Sequence, residues 1–452
     1  MARPLGMLLG MAAVVLLALA LIAAFATVIR AIGGSAPSTG GNLGAGALIV
    51  ALLGAPFLIW GTLIKHRTLS AQMDGQITDR IAKAVEQLGA EKTVKQPDEN
   101  GAVAERTRPN IEVRIGAILS LERIAQDSTS HDHGRDHVRV MEILCAYLRE
   151  NAPASGAEER NPKKHPTIEE WVQSLKPLRE DVALALKVIG RRNADQRLVE
   201  AAWPDPPSST TFWVFDTQSF AQADSPNEKA MTQADLSDFW LRLGNWKESV
   251  SAYHGYRLDL RATNLQRSDL FEAILGGALL DNARLEGANL GQARLDGASL
   301  NEAKLDGANA TCASLVAADL RGAGLAAAQL VIAQMAGAIL CDARLQGAHL
   351  TFARLTGADL SRAQVDGSTI LFEADFSKSA SKDIDFSSND MLAYQLTSMF
   401  GDASVILAPG IPRPARWPTW KLPEYGRSGF LTEWSKWQAD PTTYTPPPPP
   451  RL

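Results

Sequence analysis

A large apolar side chain recurs at every fifth position from Leu260 to Ile370. The series passes through Leu275, Leu285, Leu295 and Leu305, drops to a small residue only at Ala310, and continues through Leu345 and Leu355. Two residues before each centre stands a small residue, and from Ala273 to Ala363 it is always alanine, Ala283, Ala293, Ala303 and Ala343 among them. A period of five fits neither a helix at 3.6 nor a strand at 2. The chain must instead turn one corner per pentad. Four corners, and so four pentads, close one coil, with the leucines stacked inward and the alanines filling a gap too narrow for anything larger. Coils stack at strand spacing, about 4.8 Å, so nearly six of them make a rod about 28 Å long. After Ile370 the next centre is Phe376, preceded by Ala374, which implies one inserted residue.

The fold class expected is mainly β, a quadrilateral β-helix over residues 257–388. Residues 389–452 are expected to cap it with a short helix near 390–400 and an irregular tail. That tail holds Trp417, Trp420, Trp434 and Trp437, and ends in an exposed polyproline run, Pro446 to Pro450.

The pattern at the other end is different. Leu5 to Ile29 and Leu43 to Ile64 are uncharged runs long enough to cross a hydrocarbon core of about 30 Å. Only a short Gly- and Ser-rich stretch separates them, so residues 1–67 read as a transmembrane helical hairpin. Arg3 precedes the first run, Arg30 lies near the loop, and Lys65, Arg67, Arg80 and Lys83 follow the second. The excess of basic residues places the N-terminus and the large C-terminal portion in the cytoplasm of a bacterial inner membrane.

Between the hairpin and the repeat, residues 68–109 read as a juxtamembrane amphipathic helix, with Leu69, Met73, Ile77, Ile81 and Leu88 on one face, followed by a linker. Residues 110–202 read as a small α-helical region with three helices marked by Ile111 to Leu121, Val138 to Leu148 and Leu178 to Ile189. Residues 203–256 read as a linker.

The outward positions of the repeat are polar and charged with a period of two pentads. Arg284, Arg294, Lys304, Arg344 and Arg354 alternate with Glu286, Asp296, Asp306 and Asp366. Two pentads make half a coil, so these charges fall on two opposite faces, expected to be solvated and laced with weak ion pairs. Between 326 and 340 the outward residues turn apolar. Val331, Ile332 and Ile339 are therefore the candidate interaction patch.

Composition removes several classes of function. The chain of 452 residues carries a net charge of −5, which gives no general attraction to nucleic acid. Three cysteines far apart suggest neither a disulfide framework nor a zinc knuckle and fit a reducing compartment. No Walker loop, GxSxG or HExxH motif is present. The one constellation with metal-ligand character is the run HDHGRDH, where His131, His133 and His137 cluster and the last two are spaced i, i+4. A solvated loop between two helices is the plainer reading of it. No cofactor and no catalytic residue is expected.

The pentads Ala283–Gly287 (ARLEG) and the stretches ANLG from Ala288 and ADL from Ala358 resemble the bacterial pentapeptide-repeat family. The resemblance implies a right-handed coil. The flanks are similar to a membrane-anchored branch with two N-terminal transmembrane helices: RIGAILSLERIAQD from Arg114, EILCAYLRE from Glu142, RPARWPTW from Arg413 and DPTTYTP from Asp440.

The function expected is a membrane-anchored scaffold for protein–protein interaction, without catalysis. Its partners would be lipid, an unidentified protein and a second copy of the chain. One alternative is a mimic of DNA that binds DNA gyrase, a role the resemblance to the family brings with it. Residues 257–376, however, hold fourteen acidic and ten basic side chains, a poor copy of a duplex. The other alternative is a metal-dependent enzyme using the histidine loop. Leu300→Asp would bury an unpaired charge and should abolish the cooperative thermal transition of the repeat region. Arg294→Asp, on a face taken as solvated, is expected to be nearly neutral in the same melt.

Overall fold

The computed structural model describes residues 75–97, 103–131, 134–216, 233–426 and 428–450, with a few isolated helical positions before 75. The two apolar runs read as membrane spans otherwise lie outside the described residues. Among the described residues no helix is long and apolar enough to cross a membrane.

Residues 75–88 are helical. The linker expected at 93–109 is instead an antiparallel hairpin of β1 (Glu91–Pro97) and β2 (Val103–Pro109). Its strands are short, polar and mostly exposed, so no apolar alternation announced them. Lys92 and Lys95 bridge to Glu112 and Glu105.

The helical unit comprises α1 (Ile111–His131), α2 (Arg135–Asn151), α3 (Ile168–Ser174), α4 (Glu180–Gly190) and α5 (Ala194–Ala202). Ile118, Leu121, Met141, Leu144, Leu148, Leu186 and Ile189 make its core. Two helices carry side-chain caps. Thr167 accepts from Glu170 N at 3.2 Å, and Asn193 and Gln196 close a reciprocal capping box on α5 at 2.8 and 2.9 Å. A buried polar knot ties α2 to α4: Tyr147 donates to Asp181 at 2.5 Å, and Arg179 donates to its other oxygen at 2.6 Å.

The described parts of residues 203–256, namely 203–216 and 233–256, are not a linker. They contain a buried segment, Trp213–Phe215, and a 19-residue helix, α6 (Gln233–Ser251). Phe239 and Leu243 of α6 are buried, with Trp240 and Trp246 packed beside them. The spacing of these residues is helical; the polar surroundings hid it.

The coil follows, rising by one strand for every four pentads. Parallel bridges link Arg284 to Lys304, Asn289 to Asn309, and Arg294 to Ser314, and continue round all four sides. Leu275, Leu285, Leu295, Leu305, Leu345 and Leu355 are at most 2% exposed, and Ala283, Ala293, Ala303 and Ala343 are fully buried. Leu300, at 0% exposure, sits among them. From Leu260 to Leu360 each pentad turns on a residue with positive φ two places after its centre, such as Asn282 at 58° and Gly297 at 63°. That is the second inner position of a type II turn.

The register slips one pentad earlier than the sequence reading placed it. Arg344 pairs with Gln364, four pentads on, but His349 pairs with Ile370, one position further than four pentads would reach. Leu371 takes the inward place and Ile370 is 45% exposed. Asp366 organises the extra residue, accepting from Gly347 N, Ser368 N and Thr369 N at 3.0–3.1 Å.

The coil also runs past residue 388. β3 (Ala380–Ser381) pairs in parallel with β4 (Phe400–Gly401), and Asp385 bridges Ile406. The short helix α7 (Ala393–Ser398) is therefore a side of the last coil rather than its cap. The cap is the tail. It is not wholly irregular, because α8 (Phe430–Ala439) lies within it. Phe430 and Trp437 pack on Phe400, Trp417 Nε1 donates to Met399 O at 2.9 Å, and Arg413 holds the carbonyls of Asp402 and Val405. Even the proline run is engaged, with Trp420 Nε1 donating to Pro447 O at 3.1 Å.

At the opposite end the helical unit supplies the missing strand partners. Asn264 N donates to Ala152 O at 2.6 Å and Ile274 N to Gly190 O at 2.8 Å. Both edges of the solenoid are thus covered by the chain itself, which removes the templates for edge-to-edge growth.

The coil and its flanks meet at glycine. A Cβ at Gly357, where φ is +65°, would stand 2.0 Å from the Trp240 ring. Gly357→Ala should cost about 2 kcal/mol or more, from turn strain of about 1–2 kcal/mol plus a displaced ring, and should red-shift tryptophan fluorescence. Asn282→Ala, at a comparable φ but exposed, should change the melting temperature far less.

Candidate interaction surface

The four sides of the coil are best named by their inward centres. Face one runs beside Leu265, Leu285, Leu305 and Leu345. Face two runs beside Leu270, Leu290, Leu330, Leu350 and Leu371. Face three runs beside Leu275, Leu295, Met335 and Leu355, and face four beside Leu280, Leu300, Leu320 and Leu340. Residues four pentads apart are stacked neighbours on one face; residues one pentad apart point a quarter-turn away.

Faces one and three, the two with alternating charge, are the ones the chain covers. On face one Val172 of α3 lies over Gly287 and Gly307. Arg284 donates to Glu286 at 2.7 Å and to Glu159, from the segment before α3, at 2.6 Å. On face three Phe215 lies over Gly277 and Gly297, Leu243 packs near Val316 and Ala336, and Trp240 covers Gly357. Arg294 reaches Asp216 at 2.9 Å and stands 4.0 Å from the fully buried Asp296. The expectation that these faces are solvated fails because most of their turn positions are glycine, letting another backbone or ring approach closely. Arg294→Asp is accordingly not neutral. It would set a carboxylate beside Asp216 and Asp296 and cost on the order of 3 kcal/mol.

Burial has a clear electrostatic mark at Glu286. It is 1% exposed, its Oε2 has no hydrogen-bond partner among the described residues, and burial pushes its carboxyl above the ordinary range against the pull of Arg284.

The candidate patch of Val331, Ile332 and Ile339 is not one surface. Three successive pentads pass round three corners, so Val331 and Ile332 lie on face two, Ala336 on face three under α6, and Ile339 on face four. The neighbours of Ile332 are found a whole coil away instead. Phe352 is 48% exposed and Phe372, on the next coil, 57%, their ring centroids 6.0 Å apart. Ile370, Leu392 and Tyr394 extend the ridge, all at least 40% exposed. Tyr394 donates to Glu373 at 2.8 Å, which fixes its ring at the edge. The spacing of Ile332, Phe352 and Phe372 was in the sequence; it is visible only when the chain is read one full coil at a time.

Of the histidine run, His137 is the member whose side chain is described. His137 is fully buried in the first turn of α2. Its Nε2 lies 2.9 Å from Glu200 Oε1 and its Nδ1 3.3 Å from Gln196, while Arg192 donates to the same Glu200 at 3.1–3.2 Å. This His137–Glu200–Arg192 network packs the helices on one another, and Arg192 also donates to Ile274 O of the coil at 2.7 Å. The His131 side chain and His133 lie outside the described residues. No group of His, Cys, Asp and Glu among the described residues is arranged to hold a metal ion.

A family profile described as Pentapeptide repeats matches residues 259–301, 288–326 and 333–370. Over these residues the pentads of the coil are similar to pentapeptide repeats. Rfr23, a pentapeptide repeat protein from the cyanobacterium Cyanothece 51142, is 33% identical over 22% of this chain and 63% of its own, with a TM-score of 0.16. HetL, a pentapeptide repeat protein involved in heterocyst differentiation regulation from Nostoc sp. strain PCC 7120, is 26% identical over 34% of this chain and 73% of its own, with a TM-score of 0.14. QnrB1, a plasmid-mediated fluoroquinolone resistance protein, is 14% identical over 33% of this chain and 77% of its own, with a TM-score of 0.21. No curated protein matches the chain.

The raised carboxyl of Glu286 sets a sign for the pH dependence of the solenoid. The stability it contributes is complete below the ordinary carboxyl value of 4.5 and is lost as pH rises through its elevated value. Glu286→Gln should therefore raise the melting temperature at pH 7, with the gain shrinking to nothing as the pH falls below about 4.5.

Proposed function

We propose that this chain is a non-catalytic interaction scaffold whose pentapeptide-repeat solenoid docks a protein partner on face two. Pentapeptide-repeat proteins are structural and interaction proteins as a class. The observation that carries the reading is the division of labour round the coil. Two faces bind the chain's own helices, a third is laced with ion pairs such as Arg321–Asp319 and Arg362–Asp342, and face two alone presents adjoining exposed aromatic rings. The two apolar runs before residue 67 support anchorage in a bacterial inner membrane, with the solenoid in the cytoplasm.

The alternatives have less support. A duplex mimic needs continuous negative faces, and here the most charged faces are covered while face four mixes both signs. The metal-enzyme reading loses His137 to the helical core.

Two measurements on the full-length chain test the proposal. The protein should stay in the membrane pellet after alkaline carbonate, and deletion of residues 1–67 should release it. A photo-crosslinking amino acid at Thr351 should capture protein adducts in native membranes, whereas the same probe at Asn282 on face four should not. Release of the full-length chain by carbonate would remove the anchor; absence of adducts at Thr351 would remove the docking face.

A further inference from the structure

We infer that the occupant of face two is a second copy of this chain, joined across a two-fold axis near Ile332 and Phe352; this rests on the reading of face two as a docking surface. The first argument is charge. A copy carries the same net charge of −5, so two chains repel unless they meet where neither has any. From Asn309 to Phe372 face two presents Asn309, Thr311, Cys312, Gln329, Val331, Ile332, His349, Thr351, Phe352, Ile370 and Phe372, without one Asp, Glu, Lys or Arg. The nearest charge, Glu373, is held by Tyr394. A two-fold interface sets a patch against itself, and an uncharged patch is the kind that meets itself without repulsion.

The second argument is area. Covering the exposed parts of Phe352, Ile370, Phe372, Leu392 and Tyr394 removes on the order of 500 Å² per copy. The half-buried Val331 and Ile332 with the polar rim of Gln329, His349 and Thr351 bring this toward the roughly 800 Å² per partner of a standard interface. The arrangement of aromatic centre and uncharged polar rim is that of an interface core.

Cys312 supplies a native reporter, because it is exposed on this face one coil from Ile332, while Cys145 is buried and Cys341 lies on face four. In native membranes a bismaleimide spanning about three coil spacings, about 14 Å, should trap the full-length chain at twice its mass, and Cys312→Ser should abolish that species. Purified in detergent, the chain should have the mass of a dimer by light scattering. Phe352→Asp combined with Phe372→Asp, both exposed positions, should yield a folded monomer with an unchanged melt. Phe271→Asp, at the far end of the same face, should leave the dimer intact. A monomeric full-length chain in detergent with no crosslink in membranes, a crosslink that survives Cys312→Ser, or a folded double variant that stays dimeric would each overturn the inference. Heterologous adducts at Thr351 together with a monomeric chain would sink the second copy and leave the docking face standing; no adducts of any mass would sink both.

Discussion

The turn at each corner of the coil constrains nearly everything else. Each pentad must carry the backbone through a right angle and still present one amide and one carbonyl to the coils on either side. A type II turn does this, but it demands positive φ two places after each inward centre. A side chain tolerates that backbone at a cost of about 1–2 kcal/mol, and the chain accepts the cost repeatedly, at Asn282, Gln292, Glu302, Ile332 and Phe352. What offsets it is the interior. Each inward leucine removed from water contributes about 2 kcal/mol, and the alanines leave no gap in which the ladder could shift.

The same corner position determines which faces remain available. Where it holds glycine the turn is unstrained and the outer surface is shallow, so α3, α6 and the Trp213–Phe215 segment settle there. Where it holds a larger residue the surface is raised, and contacts there are made through side chains and carbonyls, as Arg267 makes with the end of α3 and Arg362 with Glu424. Among the described residues the middle of faces two and four is left open, and on face two the raised residues Ile332 and Phe352 are apolar. Ile332 makes the point most sharply, since a β-branched residue at φ 59° is strained and points outward, where it adds nothing to the interior of the coil.

How much of this could be read from the sequence follows from the range of each signal. The leucine and alanine columns repeat with every pentad, so the solenoid and its interior were legible from Leu275 or Ala283 onward. The slip near Asp366 was visible, but its position was not, because Ile370 and Leu371 are both aliphatic and either could face inward. The hidden helix α6 carries Phe239, Trp240, Leu243 and Trp246 at helical spacing within a polar segment, and what it packs against, Val316 and Ala336, lies several coils further along the chain. The apolar patch failed for a geometric reason. Val331 and Ile339 are close in sequence, yet two corners separate them, whereas Ile332, Phe352 and Phe372 are neighbours that a window one pentad wide never brings together.

Burial of the charged faces completes the argument about where specificity resides. Arg284, Glu286, Arg294 and Asp296 would contribute little as exposed pairs. Under α3 and the Phe215 segment they are desolvated, and a wrong partner would strand a buried charge. They therefore fix which segment lies on which face, and at what height along the rod, more than they add to stability. From Asn309 to Phe372 face two needs no such register marks for the chain's own folding and carries none. The lack of charge in that stretch, beside two faces so deliberately charged, leaves an uncharged apolar surface as the counterpart it can bury without stranding a charge.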